Sequence, residues 1–219
     1  MKKLQKYLMI LGTIMLSIGI SACSKQPDFD AKSYVQSSLD AYYLGEYKDY
    51  ANLLEISEKD AKKEIEEDFN ESIQQQFGDS DNITDKGIAD YTEKLTEVKK
   101  LAKYKVQDVK EEDGGYTVSV QVEPSNAFQT LQQSSVEVSK EKIAQGMKET
   151  DPGVFASVLT ESVQKSIDKN SYGEPVTVTV KVEKNHSGTY ELSEIERSKL
   201  ETAMFPTEQL NIEEVDCRG

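Results

Sequence analysis

The hydrophobic positions in the first half of the chain recur at spacings of three and four, the period of a helix that buries one face. The first such stripe holds Val35, Leu39, Tyr43, Tyr47, Tyr50 and Leu54. Gly45 lies inside this run and either separates two helices or bends one. Ser57 with Asp60 predicts a helix start. The stripe that follows, which Gly78 ends, holds Ala61, Ile65, Phe69, Ile73 and Phe77. A third helix is predicted from Ile88, Tyr91, Leu95, Val98 and Leu101.

After residue 103 the period changes to two. In residues 116–122, Tyr and Val alternate with Thr, Ser and Gln. That alternation is typical of a strand with one buried and one wet face. Residues 104–109 form the preceding strand, and the turn 111–115 joins the two segments. The pattern therefore predicts a β-hairpin.

The second half repeats this order of helices and hairpin. A helical stretch over residues 127–148 is broken at Asp151-Pro152-Gly153. Asp151 as the cap and Pro152 at the first helical position predict a new helix there. Alternating valines and a polar turn predict a second hairpin over residues 176–192. Ser193 with Glu196 has the form of a capping box and predicts a last helix, to about Phe205.

The resulting order, ααα-ββ-αα-ββ-α, groups helices apart from antiparallel hairpins and so predicts the α+β class. Helices packed on a curved antiparallel sheet, as in cystatin-like or nuclear-transport-factor-like folds, suit this order. We expect one domain over residues 30–205. Two similar halves, 30–125 and 126–205, are the alternative division, and residues 206–219 form a C-terminal tail.

Residues 1–22 have the pattern of an export signal. Three lysines and no acid occupy the first six positions, and the 14 residues from 7 to 20 carry no charge. A helix of that length rises only about 21 Å, short of the roughly 30 Å hydrocarbon core of a bilayer. The segment therefore favours a cleaved signal over a transmembrane helix.

The motif Ile20-Ser21-Ala22-Cys23, which ends this segment, resembles the lipobox of bacterial lipoproteins. The resemblance implies transfer of diacylglycerol to the sulfur of Cys23 and cleavage between Ala22 and Cys23. Two or more acyl chains, such as palmitate, would hold the protein stably at the outer face of the cytoplasmic membrane. Residues 23–29 would then be a lipidated tether. An ordinary secretory signal with a chance cysteine is the alternative.

The net charge of the chain disfavours some classes of binding partner. The chain has 40 acidic and 26 basic residues, a net charge of −14, and three of its lysines belong to the signal segment. So negative a domain disfavours nucleic acid and anionic lipid as partners. Cys217 is the other cysteine. If Cys23 is lipidated, no internal disulfide can form, and we interpret Cys217 as incidental.

Candidate catalytic motifs are few. His186 is the one histidine and falls in a predicted turn, where no adjacent group orients it as a base. Ser-x-x-Lys begins at Ser139 and at Ser162, and Ser-Asp-Asn occupies residues 80–82. Penicillin-binding enzymes combine such motifs, but in that family the nucleophile precedes Ser-Asp-Asn. We therefore expect no catalytic residues.

Four aspartates raise the question of a calcium loop: Asp79, Asp81, Asp85 and Asp90. The EF-hand pattern requires Gly at its sixth position and Glu at its twelfth, where this chain has Thr84 and Asp90. One histidine and one free cysteine exclude a zinc site on such ligands within a single chain. We expect a solvated acidic loop with no metal and no cofactor, and a weak calcium site is the alternative.

The tyrosines are the candidate ligand surface. Five of eleven fall between residues 34 and 50. Aromatic rings stack on sugars and line peptide grooves. Three of the five lie on the predicted core stripe, whereas Tyr34 and Tyr42 fit it less well. These two are therefore the candidate surface residues.

Two segments carry a further resemblance: Leu-Asp-Ala-Tyr-Tyr-Leu-Gly-Glu-Tyr-Lys-Asp-Tyr at residues 39–50 and Ser-Glu-Lys-Asp-Ala at 57–61. The mature part resembles lipoproteins of low-GC Gram-positive bacteria that carry a domain of unknown function, which implies no catalytic residues. We predict a non-catalytic binding or interaction module that engages an envelope protein, a peptide or a wall component. The alternatives are a carboxylate-based cell-wall hydrolase, which needs only two acids, and a solute-capture lipoprotein.

Overall fold

The structure is a computed structural model that describes residues 29–77, 83–148, 151, 153–186 and 188–207. In these ranges seven α-helices, one π-helix and four strands follow one another. Their bounds are α1 (Ala31–Leu39), the π-helix (Asp40–Leu44), α2 (Tyr47–Leu54), α3 (Glu58–Phe77), α4 (Asp85–Lys99), β1 (Tyr104–Glu112), β2 (Gly115–Val122), α5 (Ala127–Ala144), α6 (Val154–Asp168), β3 (Val176–Lys184), β4 (Tyr190–Leu192) and α7 (Glu194–Met204). The predicted signal, Ala22, Cys23 and Cys217 lie outside the described residues.

The four strands form one antiparallel sheet in the order β1-β2-β3-β4. The central pairing of β2 with β3 runs from Gly115 opposite Glu183 to Val122 opposite Val176. The two predicted hairpins therefore share one sheet, and the predicted α+β class is confirmed. The cystatin-like and nuclear-transport-factor-like comparisons stay predictions.

The alternation along the strands produces a buried and a wet face, as predicted. The buried face carries Val118, Val120, Val122, Val180 and Val182, all fully buried. The stripe of α3 is also buried at every predicted position. Helices on one face of the sheet thus supply the other half of the core. Among the helices of the described ranges, none combines the length and apolar character that crossing a membrane requires.

Helix starts agree with the sequence where a side-chain cap was predicted. The backbone N–H of Asp60 donates to Ser57 Oγ at 3.1 Å, and that of Glu196 donates to Ser193 Oγ at 3.4 Å. The return half of the second capping box is absent, because the Glu196 carboxylate accepts from the backbone N–H of Lys181 on β3 instead. This bond ties α7 to the sheet.

One predicted helix start is wrong. The helix predicted to begin at Pro152, with Asp151 as its cap, begins at Val154, with Gly153 as its N-cap at φ +78°. Asp151 instead accepts a hydrogen bond from the backbone N–H of Lys148, which closes a turn after α5. The glycine supplies a left-handed conformation that an Asp cap would not adopt readily.

Candidate binding site

The π-helix that continues α1 sets the geometry of the candidate site. Its wider turn is rare and is frequently found at functional sites. Asp40, its first residue, accepts hydrogen bonds from the Tyr104 hydroxyl at 2.7 Å and from Gln36 Nε2 at 2.8 Å. Gly45 ends it in the left-handed region at φ +74°, so the first predicted helical run is separated into two helices.

Within this π-helix, Tyr42 and Tyr43 are adjacent and pack edge to face, with ring centroids 4.7 Å apart. Tyr43 points into the core and also contacts the rings of Tyr104 and Phe205, each at 6.1 Å. Tyr42 is partly buried at the border of the core. The tyrosine pair therefore leads from the core to a partly exposed edge of the helical layer.

At that edge the ammonium of Lys99, the last residue of α4, lies between two aromatic rings. Its Nζ is 3.6 Å from the centroid of the Tyr42 ring and 4.3 Å from that of Phe69 on α3. Ring faces attract cations, by about 2 kcal/mol where the contact is desolvated. Lys99 keeps a part of its surface exposed.

Glu201 on α7 completes the site, and we call Tyr42, Phe69, Lys99 and Glu201 the lysine cluster. Burial raises the pKa of Glu201 to about 7, against the opposing attraction of the Lys99 charge. Burial lowers the pKa of Lys99 to about 7, and the Glu201 and Glu66 carboxylates oppose that change. The proton content of the cluster therefore changes around neutral pH.

The phenol of Tyr42 in the cluster and that of its neighbour Tyr43 stay protonated. Burial, and after it the Glu201 charge, raises the pKa of both Tyr42 and Tyr43. The guanidinium of Arg197, one turn before Glu201 on α7, opposes that rise. The cluster thus combines one hydroxyl, one amine and one carboxyl beside aromatic surface. Partly buried groups with perturbed pKa values are typical of functional sites.

Of the two tyrosines predicted at the surface, Tyr34 is a correction. Its side chain is only 1% exposed, and its hydroxyl accepts a hydrogen bond from the backbone N–H of Leu192 at 3.3 Å. Tyr34 therefore fastens α1 to β4 from inside the core. Tyr42 lies in the lysine cluster, and its contact with a ligand stays a prediction.

The Ser-x-x-Lys matches do not form nucleophile and base pairs. Ser162 is buried and donates to the Val158 carbonyl within α6, while Lys165 Nζ bonds to Glu141 Oε1 at 2.7 Å. Lys142 bonds to Glu161. These contacts hold α5 against α6. His186 is exposed after the end of β3.

Two of the four aspartates expected in a solvated loop, Asp85 and Asp90, lie in α4 instead. Asp90 accepts a hydrogen bond from Lys86 Nζ within the first turns of that helix. Asp79 and Asp81 lie outside the described residues. In the part of the chain that the structure describes, no three metal-ligating side chains come together.

A surface cavity of about 310 Å³, apart from the lysine cluster, lies between the starts of α4 and α6. The helices approach closely there, because a Cβ on Gly87 would lie 2.5 Å from the Cβ of Ala156. Glu161 lines this cavity. Burial raises its pKa, but hydrogen bonds from Lys142 and Ser157 outweigh burial and hold the pKa below its usual value. Glu161 is therefore an ionised partner in a structural pair.

Lys99 and Glu201 were not predicted from the sequence. Lys99 stands in the polar run Lys99-Lys100 at a helix end, and Glu201 lies on a short helix rich in charge. In the sequence, each lies about one helical turn from a buried residue, Leu95 for Lys99 and Met204 for Glu201, and this position was the one available signal. That signal is common to many surface charges, so it could not single out these two.

The fold and the site define an α+β domain with a partly buried polar cluster at one edge of its helical layer. A solved protein of similar fold is ycdA of Bacillus subtilis subsp. subtilis strain 168, which is named as a candidate lipoprotein. The TM-score is 0.57 and the identity 14%, over 80% of this chain and 56% of that chain. This chain therefore spans about half the length of that protein, and the likeness shows the fold. No protein-family model and no curated protein matches the sequence.

Proposed function

We propose that the protein is a lipid-anchored, extracytoplasmic binding module that is not an enzyme and that takes its ligand at the lysine cluster. The lipobox-like motif ending at Cys23 supports the anchor, and so does the fold shared with a candidate lipoprotein. The acidic net charge of −14 argues against nucleic acid as the ligand. A peptide, a wall component or an envelope protein is the proposed partner.

The observation that carries the proposal is the partial desolvation of an amine and a carboxyl at a partly exposed edge. The ammonium of Lys99 lies against the rings of Tyr42 and Phe69, and a ligand could accept the hydrogen bonds that ring faces do not. Glu201 can accept or donate a hydrogen bond near neutral pH, since its pKa is about 7. A ligand with a polar group beside an apolar surface would find complementary partners there.

The site is tested by thermal unfolding of the mature chain, with Cys23 and Cys217 replaced by serine, against peptides, sugars and purified wall fragments. A ligand at 100 times its dissociation constant stabilises by about 2.7 kcal/mol, or roughly 5–10 °C for a chain of this size. We expect Lys99→Met and Glu201→Gln to abolish that shift.

The matched control is Lys103→Met. Lys103 Nζ lies 3.6 Å from the ring centroid of Tyr172, so it makes the same kind of contact as Lys99. The control should keep the full ligand shift. A ligand whose shift survives both cluster variants binds elsewhere and would refute the site.

The anchor is tested in intact cells by labelling with an alkyne-bearing fatty acid. Wild-type protein should carry the label and stay with the membrane. Cys23→Ser should lose the label and, because cleavage follows lipid transfer, keep its uncleaved signal segment, whereas Cys217→Ser should behave as wild type. Wild-type protein without the label, or label that persists in Cys23→Ser, would contradict a lipid anchor.

A carboxylate-based hydrolase is a second candidate, because Glu201 holds its proton near neutral pH as a general acid must. Glu66, whose charge acts on Lys99, would be its partner carboxylate. Turnover of purified wall polymer that is lost in Glu201→Gln and in Glu66→Gln would favour this function. Binding without turnover favours the module.

A further inference from the structure

The chain enters the domain at one particular end of the sheet. Phe29 stacks on Tyr190, with ring centroids 4.4 Å apart, and lies 5.6 Å from the ring of Tyr116. Tyr190 begins β4, and Tyr116 is the second residue of β2. Both therefore stand at the end of the sheet where the β1–β2 and β3–β4 connections lie. We call this the entry end.

The lysine cluster lies at the opposite end. α1 and the π-helix run away from Phe29, and the 13 residues to Tyr42 span about 20 Å. On α7, the turn after Glu201 reaches Met204, whose carbonyl accepts from the backbone N–H of Ser125 just beyond the last residue of β2. β2 itself has eight residues, or roughly 25 Å of sheet between the two ends.

The tether is shorter than the domain. Five residues separate Cys23 from Phe29, so the span between those two positions is at most about 20 Å. The entry end is thereby restricted to the vicinity of any lipid on Cys23. The net charge, −14 for the whole chain and more negative once the three signal lysines are removed, also opposes lying flat on an anionic leaflet.

Resting on the lipid anchor of the proposed function, we propose that the entry end faces the membrane and that the lysine cluster faces away from it. The partner of the cluster then comes from the outer side. Neither lipid nor a membrane-embedded segment then reaches the cluster. This orientation follows from where the chain enters the fold.

The test uses the full lipidated protein with Cys217→Ser, reconstituted in vesicles of phosphatidylcholine and phosphatidylglycerol. A dye is placed on one new cysteine, either Asp113→Cys or Glu174→Cys, and energy transfer to an acceptor-labelled lipid is measured. Both side chains are exposed. Asp113 lies in the turn at the entry end, and Glu174 lies two residues before β3 at the cluster end.

Because about 25 Å of sheet separates the two positions, we expect transfer at least about twofold higher from residue 113 than from residue 174. Equal transfer, or higher transfer from residue 174, on protein that floats with the vesicles would overturn the orientation alone. Protein that carries no lipid and does not float would overturn the anchor and the orientation together. The chain from Ser24 onward, which lacks both the signal segment and Cys23, gives with each dye the transfer expected without an anchor.

Discussion

The lysine cluster should give the protein a stability minimum near neutral pH. Glu201 has an ordinary pKa of 4.5, raised in the folded protein to about 7. Between these values the folded state keeps a proton that the unfolded chain has released, so its stabilising contribution, full below 4.5, is lost as pH rises to 7. Lys99 has an ordinary pKa of 10.5, lowered to about 7. Its contribution is full above 10.5 and is lost as pH falls to 7.

The magnitude follows from the size of these changes. One pKa unit corresponds to about 1.4 kcal/mol, so each full change would give up to roughly 3–5 kcal/mol. Both side chains keep some exposure to water, which screens the interaction, and their charges attract each other. We therefore expect about 1–2 kcal/mol from each group.

The assay is urea unfolding followed by circular dichroism at pH 5, 7 and 9. Relative to wild type, Glu201→Gln should lack the fall in unfolding free energy between pH 5 and 7, and Lys99→Met should lack the rise between pH 7 and 9. Other carboxylates titrate as well, so the informative quantity is the difference between wild type and variant. Lys103→Met and the exposed Glu194→Gln are the controls. Variant curves parallel to wild type at all three pH values would refute the reasoning.

Three substitutions test the packing of the fold. Gly87→Ala forces a Cβ to 2.5 Å from that of Ala156, so we expect the free energy of unfolding in urea to fall by about 1–3 kcal/mol. Wild-type stability would show that α4 and α6 separate freely. Tyr34→Phe leaves the Leu192 N–H without its partner and should cost about 1–2 kcal/mol, whereas no loss would mean that water replaces the hydroxyl. Leu159→Ala opens a cavity at a side chain only 1% exposed and should cost about 2–5 kcal/mol; a loss below 1 kcal/mol would show that the core collapses around it.

Local periodicity was sufficient for the regular elements. The i, i+4 stripe of α3 predicts all five of its buried residues because a single straight helix packs one narrow face. The alternation in β2 predicts its more buried and its less buried face, because successive side chains of a strand point to opposite sides. The prediction for Tyr34 is wrong because it assumed that α1 buries a single narrow face. α1 buries both Tyr34 and Val35, since its N-terminal turn has the sheet on one side and the ring of Phe29 on another.

The π-helix and the cluster are beyond such reasoning. A π-turn contains one residue more than an α-turn, and no particular amino-acid composition marks it. Here the hydroxyl of Tyr104, 64 residues away in the sequence, donates a hydrogen bond to the carboxylate of Asp40, the first residue of the π-helix. Lys99 and Glu201, on α4 and α7, come within range of each other's charge only in the folded protein. Interactions over such separations follow from the tertiary fold, which the pattern of hydrophobic and polar positions does not encode.

A structural role and a binding role make different demands on the lysine cluster. Packing between α3, α4, α7 and the π-helix would be served at least as well by apolar side chains, since removing charges from water can exceed the attraction they gain. The changed pKa values of Lys99 and Glu201 are a direct expression of that desolvation. Proteins tend to break the rules of stable packing where they function. The partner proposed for the cluster would complete the hydrogen bonds of this amine and this carboxyl, and would so explain why both are held partly out of water at the end of the sheet farthest from the tether.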